Sequence, residues 1–353
     1  LYECHVGLGY QRIVSEFYGI RTDVTIFVPT GENVVLRDIK VSNLRSEPVE
    51  LDVVPVVEFT HFDALKQFTN ADWVPQTMTV DAERVDNGTV LLRQYAFMKK
   101  AYENNFFTSN VPVDSFETDR KIFLGDNEYG TWSNPLALQG ASLSNTEARR
   151  GDTMAALLHR LGEIQPGEEK RIVTQLGQDE PAKVMATAQT FQSLEAVDAA
   201  FQSLADFWTE YLSNNWVKTP DDAFNSTVNV HNPRQCHTTM NWSRYLSLYQ
   251  LGLGARGIGF RDSSQDVMGV VAGMPEDAKA LMKKLLSVQL PNGSAMHQFF
   301  PLTMEATEGD SREEGDKQWY GDDHLWIVQA VSAYVKETGD VAFLSEEITY
   351  YSK

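Results

Sequence analysis

The sequence predicts a multidomain α and β protein: an N-terminal β-sandwich, a helical linker, and the first part of a helical domain. Three observations predict it. Short runs rich in Val, Ile and Leu fill the first half between turn signals. Apolar residues recur at helical intervals after Pro181. From Asp221 onward, helices alternate with short glycine-rich connections. These changes set boundaries at residues 1–181, 182–220 and 221–353. At 353 residues, 42% of them hydrophobic, the chain exceeds the size at which a single core usually stops growing.

The first strands are expected over residues 22–28, 34–43 and 49–60, separated by Pro29 with Gly31 and by Ser46 to Pro48. The pattern returns at 78–85, at 89–97 after the turn Asp86, Asn87, Gly88, and at 121–124. A late pair over 155–161 and 170–176 flanks the turn Gln165, Pro166, Gly167. Strands at this spacing make a sandwich. Residues 61–73 interrupt the sheet as an aromatic-bearing insertion, and long insertions of that kind more often serve function than not.

Over residues 182–212, Val184, Phe191, Leu194, Val197, Phe201, Leu204 and Phe207 keep a helical period with no proline or glycine after Pro181. Further helices are expected over 238–251, 263–271, 275–290 and 323–338. Pro275 at the first turn of the third, with Glu276 and Asp277 beside it, follows known proline and charge preferences. Successive helix pairs form an α/α toroid or a bundle, and four helices do not complete a toroid of six pairs.

Composition excludes several functions. Forty-nine acidic against 30 basic residues give a net charge of −19, which argues against nucleic acid or an anionic membrane as partner. Cys4 and Cys236 are too few for a disulfide framework and lack the paired spacing of a zinc site, which fits a reducing cytoplasm. No apolar run is long enough to cross a bilayer, and the opening LYECHVGLGYQRI lacks the pattern of a secretory signal. Cytoplasmic localisation is therefore expected. The sequons at Asn87, Asn225, Asn241 and Asn292 read as coincidental, and with no initiator Met at its start the chain is expected to be a fragment.

An acidic chain gathers Arg244, Arg256 and Arg261 close to Asp262 and to Gly252, Gly254, Gly257 and Gly259. Guanidinium groups offer a fixed fork of donors for phosphate or neighbouring sugar hydroxyls, an aspartate accepts hydroxyl protons, and glycines permit close approach. The competing reading is structural: Asp262 with Gln265 forms a capping-box-like pair, or Ser263 is the cap. His297 and Gln298, in PNGSAMHQFFPLT, set polar side chains beside aromatics, which suits a sugar ring; a loop packed on the core through Phe299 and Phe300 is the alternative. Asp322, Asp323 and His324 lack further ligands for a metal, and one of the two aspartates is expected to cap the next helix. The acidic run 305–316 reads as a solvated loop.

The segments YECHVGLGYQRI, NWSR, GARGIGFRDSSQD, PNGSAMHQFFPLT and DDHLW, in this domain order, resemble the inverting β-glucoside phosphorylases of glycoside hydrolase family 94. That family includes the cellobiose, cellodextrin, laminaribiose and chitobiose phosphorylases. The resemblance implies an (α/α)6 toroid as the second domain. It implies phosphorolysis, in which inorganic phosphate, a substrate and not a cofactor, attacks the anomeric carbon of a β-glucoside and yields α-glucose 1-phosphate. It further implies that Arg244 binds phosphate, that Arg256 and Asp262 hold donor-sugar hydroxyls, and that the protein is a homodimer. The family's general acid, an aspartate, is expected beyond Lys353, together with further phosphate ligands. The insertion 61–73 is the expected contact with the partner subunit. Two other functions fit the sequence: a hydrolase that uses water in place of phosphate, and a glucan-binding module using exposed aromatics such as Trp73 and Trp132.

Overall fold

A computed structural model of the chain describes residues 1–61, 73–99, 102–125, 132–243, 257–300, 304–307 and 321–352. It divides into two compact units, Leu1–Asp206 and Phe207–Lys353.

The first unit is a β-sandwich. Its larger sheet contains β1 (Tyr2–Val6), β2 (Tyr10–Phe17), β3 (Ile20–Phe27) and β4 (Val34–Asn43), then β7 (Met78–Arg84), β8 (Val90–Ala96), β9 (Asn104–Ser109) and β12 (Glu169–Asp179). The eight strands run in the order β1-β2-β3-β4-β12-β9-β8-β7. The second sheet pairs β10 (Ser115–Asp119) with β11 (Thr153–Ile164), which also carries β5 (Val49–Val53) and β6 (Val56–Glu58). The single strand expected over 49–60 is broken at Pro55, whose missing N–H cannot join the ladder.

β11 explains how the two sheets share a core. Its side chains alternate between two clusters: Ala155 and Leu157 pack with Val80, Leu92, Phe107 and Phe116, while Met154, Ala156 and Leu158 pack with Phe123, Leu124 and Leu143. The strand is apolar on both faces because both are covered.

Residues 121–124 were expected to be a strand. They belong instead to a helical turn, α1 (Arg120–Leu124), because the Asp119 carboxylate accepts from the amides of Lys121 and Ile122 at 2.8 and 3.0 Å. β10, in turn, escaped the sequence reading because its buried face is polar. Glu117 is fully buried, and its carboxylate accepts from the amides of Thr118 and Asp119 and from the Ser144 hydroxyl.

The helical stretch after Pro181 is two helices, α2 (Val184–Thr190) and α3 (Leu194–Ser213), interrupted at residues 191–193. The first turns of α3 lie on the sandwich. Phe201 meets Tyr10 and Phe27 edge-on, with centroids 5.2 and 5.1 Å apart. Arg171 of β12 bridges Asp38 of β4 and Asp198 of α3, at 2.7 and 2.5 Å.

In the second unit a helical run begins at Asp222, earlier than expected. It passes through α4 (Asp222–Ser226), a wide i→i+5 turn at Thr227–His231, α5 (Asn232–Thr238) and a second wide turn at Thr239–Ser243. Asn229, buried in the first wide turn, clamps Val217 by accepting from its amide at 2.9 Å and donating to its carbonyl at 2.8 Å. Among the described residues three helices follow: α6 (Phe260–Met268), α7 (Pro275–Leu286) and α8 (Asp323–Thr338). They pack on one another around Phe260, Val267, Met282, Leu285, Phe299, Ile327 and Ala330. α7 carries Pro275 and two acids in its first turn and Lys283 and Lys284 in its last, as the helix dipole favours. Three two-residue strands, β13 (Ile258–Gly259), β14 (Gln298–Phe299) and β15 (Ala306–Thr307), form a small sheet beside them.

Candidate active site

The small sheet joins the two motifs that stand out in the sequence. β13 pairs antiparallel with β14, placing Ile258 opposite Phe299 and Gly259 opposite Gln298. The Phe260 amide extends the ladder by donating to the His297 carbonyl at 3.0 Å. Phe260 and Phe299, both fully buried, anchor the two segments in the core. Asp262, His297 and Gln298 therefore stand on adjoining segments. The loop expected around His297 is partly a strand, and Phe299 packs inward as that reading required.

Asp262 is not a cap. α6 starts at Phe260 with Gly259 in the N-cap position, so Asp262 and Ser263 lie inside the first turns and no side chain caps this end. Glycine suffices there because the backbone is already committed to the β13–β14 pairing. The Asp262 carboxylate folds back toward Gly259: a Cβ on residue 259 would lie 3.1 Å from Oδ2. Oδ1 sits 3.6 Å from Nε of Arg261, and Arg261 reaches Asp322 through Nη1 at 3.3 Å. Burial works against the Arg261 charge, yet Asp322, Asp262 and Asp323 hold its pKa above the ordinary arginine value.

Asp322 occupies the N-cap position of α8, but its side chain does not cap the helix as expected. Its carboxylate accepts from Trp326 Nε1 at 3.3 Å and from Arg261, and these two keep its pKa below the usual carboxylate range. Asp323, the first residue of α8, is 2% exposed, and its Oδ2 lies 2.9 Å from His297 Nδ1. Among the described residues no group of three or more His, Cys, Asp or Glu could hold a metal ion.

Arg244 and Arg256 lie outside the described residues, as do residues 62–72 of the insertion and 308–316 of the acidic run. Trp73 and Trp132 are about half exposed, at 50% and 41%. The sequence reading missed Arg261 as a site residue. Its adjacency to Asp262 was visible, but its partner Asp322 lies 61 residues downstream.

The supersandwich domain of glycosyl hydrolase family 94 matches residues 1–194, and the catalytic domain of that superfamily matches residues 207–353. The N,N'-diacetylchitobiose phosphorylase of Vibrio furnissii is 28% identical over 99% of this chain and 45% of its own length. The solabiose phosphorylase of Paenibacillus borealis is 26% identical over 99% of this chain and 42% of its own length. The chain thus spans under half the length of these curated relatives. Among solved structures, a bacterial glucoamylase in complex with acarbose shares the fold at a TM-score of 0.57, with 12% identity, over 95% of this chain and 47% of that one. Among the described residues no helix is long and apolar enough to cross a membrane.

Proposed function

The chain belongs to glycosyl hydrolase family 94, and from that premise we propose that it forms the sandwich and the first part of the catalytic domain of an inverting disaccharide phosphorylase. The substrates are inorganic phosphate and a β-linked glucosyl disaccharide or oligosaccharide, such as laminaribiose, cellobiose or a cellodextrin. The products are α-glucose 1-phosphate and the shortened sugar. Names of relatives support phosphorolysis, and the one acting on N,N'-diacetylchitobiose makes an N-acetylglucosaminyl donor the first alternative to test.

In this reaction a phosphate oxygen bonds to the anomeric carbon as the glycosidic C–O bond breaks on the opposite face, and the departing oxygen takes a proton. A hydrolase that inverts needs a carboxylate to activate water; phosphate is already an anionic nucleophile and needs none. Arg244 is proposed to hold phosphate, Arg256 and Asp262 the donor-sugar hydroxyls, and His297 and Gln298 the edge of the ring. The proton donor is assigned to no residue of this chain. No cofactor is required. A cytoplasmic homodimer is the proposed form, with the insertion at 61–73 as its contact.

The observation that carries this reading is Asp262 itself. It does not occupy the N-cap of α6, its carboxylate lies against Gly259, and Nε of Arg261 stands 3.6 Å from it. In the full-length protein, Asp262→Asn is expected to lower kcat/KM about ten- to a hundredfold, as loss of a charged hydrogen bond of about 1.5–3 kcal/mol requires. Unchanged kinetics with unchanged folding would remove Asp262 from the site.

A further inference from the structure

The N-terminus of α8 supplies two successive acids, and they serve the two halves of the candidate site separately. Asp322 engages Arg261, the neighbour of Asp262, while Asp323 engages His297, the neighbour of Gln298. We propose that Asp323 is a positioning residue that fixes the ring orientation and tautomer of His297 for contact with the sugar. This rests on the reading of His297 as a sugar-binding residue.

Three observations carry it. The His297 side chain is 24% exposed whereas that of Asp323 is 2% exposed, so a buried acid lies beneath a partly open ring. A carboxylate can only accept, so at 2.9 Å the proton of the pair must sit on Nδ1; in the neutral ring Nε2 then keeps its lone pair and can accept from a sugar hydroxyl. Finally, Asp323 Oδ1 is buried with no hydrogen-bond partner among the described residues. An acid kept for structure alone would be expected to satisfy both oxygens, since an unpaired buried polar atom is destabilising. Capping does not account for it either, because Asp323 lies inside the helix and not at its N-cap.

The test has two arms. In the 353-residue chain, long-range 1H–15N spectra of the His297 ring, assigned with His297→Gln and recorded above the ordinary imidazole titration range, are expected to show the Nδ1-protonated tautomer. Asp323→Ala is expected to lose it, and Asp322→Asn to keep it. An Nε2-protonated ring in the native chain, or the same tautomer in Asp323→Ala, overturns the proposal. In the full-length protein, Asp323→Asn is expected to lower kcat/KM at least about tenfold, yet less than about twofold further in the His297→Gln background, since coupled residues are non-additive. Fully additive losses, or no loss from Asp323→Asn, overturn it. The wild-type rate with and without phosphate reports on the proposed function separately, and the spectra decide the His297 and Asp323 pairing even if phosphorolysis fails.

Discussion

Gly257 and Phe299 approach so closely that a Cβ on residue 257 would sit 2.4 Å from the Phe299 carbonyl oxygen and 2.6 Å from its carbonyl carbon. The obstacle is backbone, so no rotamer change relieves it. Gly257 is what allows β13 to lie against β14, and that pairing aligns Gly259 with Gln298. Gly257→Ala is therefore expected to destabilise the second unit by about 1–3 kcal/mol, the range for overpacked sites, and to weaken sugar binding as well. Chemical denaturation followed by tryptophan fluorescence checks this; an unchanged midpoint would show that the strands separate without consequence.

In the sandwich, His159 is 2% exposed. Its Nδ1 lies 2.8 Å from the Pro112 carbonyl oxygen, and its Nε2 is buried with no partner among the described residues. The carbonyl can only accept, so the neutral ring carries its proton on Nδ1, and a second proton would have nowhere to bond. Burial accordingly pushes the His159 pKa below the ordinary imidazole value. Because the folded pKa is depressed, the unfolded chain binds the proton first as pH falls. Stability is then at its full value above the unfolded pKa of about 6.5 and declines as pH drops below it toward the folded value. His159→Asn, which can keep the bond to Pro112, is expected to be less stable at neutral pH but to lose less on acidification. Urea midpoints at neutral and mildly acidic pH, compared between the two proteins, measure the difference; parallel losses would assign the acid sensitivity elsewhere.

Asp119 holds the amides of Lys121 and Ile122, and with them α1. Asp119→Ala is expected to cost about 1 kcal/mol, the usual value of an N-cap, and to expose Phe123 and Leu124, which are buried in the outer cluster of β11. A sandwich with unaltered stability would mean that apolar packing alone maintains the turn.

What the sequence disclosed follows from how each element is stabilised. β4 and α8 match their expected bounds, because each alternates or repeats apolar residues over many positions. Residues 121–124 read as a strand from Ile122, Phe123 and Leu124, but a capping carboxylate two residues upstream decides local backbone geometry, and periodicity does not report it. Residues 115–119 read as nothing, because Glu117 and Thr118 are buried by hydrogen bonds and not by apolarity. In the candidate site, Asp262 and His297 with Gln298 were legible as two separate motifs. Their convergence was not, since two-residue strands leave no pattern. The link from His297 to Asp323 crosses 26 positions, and only the fold brings them to 2.9 Å. The family itself was legible in the longer segments, GARGIGFRDSSQD above all, and the matches to both domains of glycosyl hydrolase family 94 agree.

The central claim is inverting phosphorolysis, and the most direct measurement is 1H and 31P NMR of the first product released by the full-length protein from cellobiose, laminaribiose and N,N'-diacetylchitobiose. One of these is expected to give an α-configured sugar 1-phosphate as the first product, with no turnover when phosphate is left out. Free sugar released at the same rate without phosphate, or a β-configured sugar 1-phosphate, would contradict it.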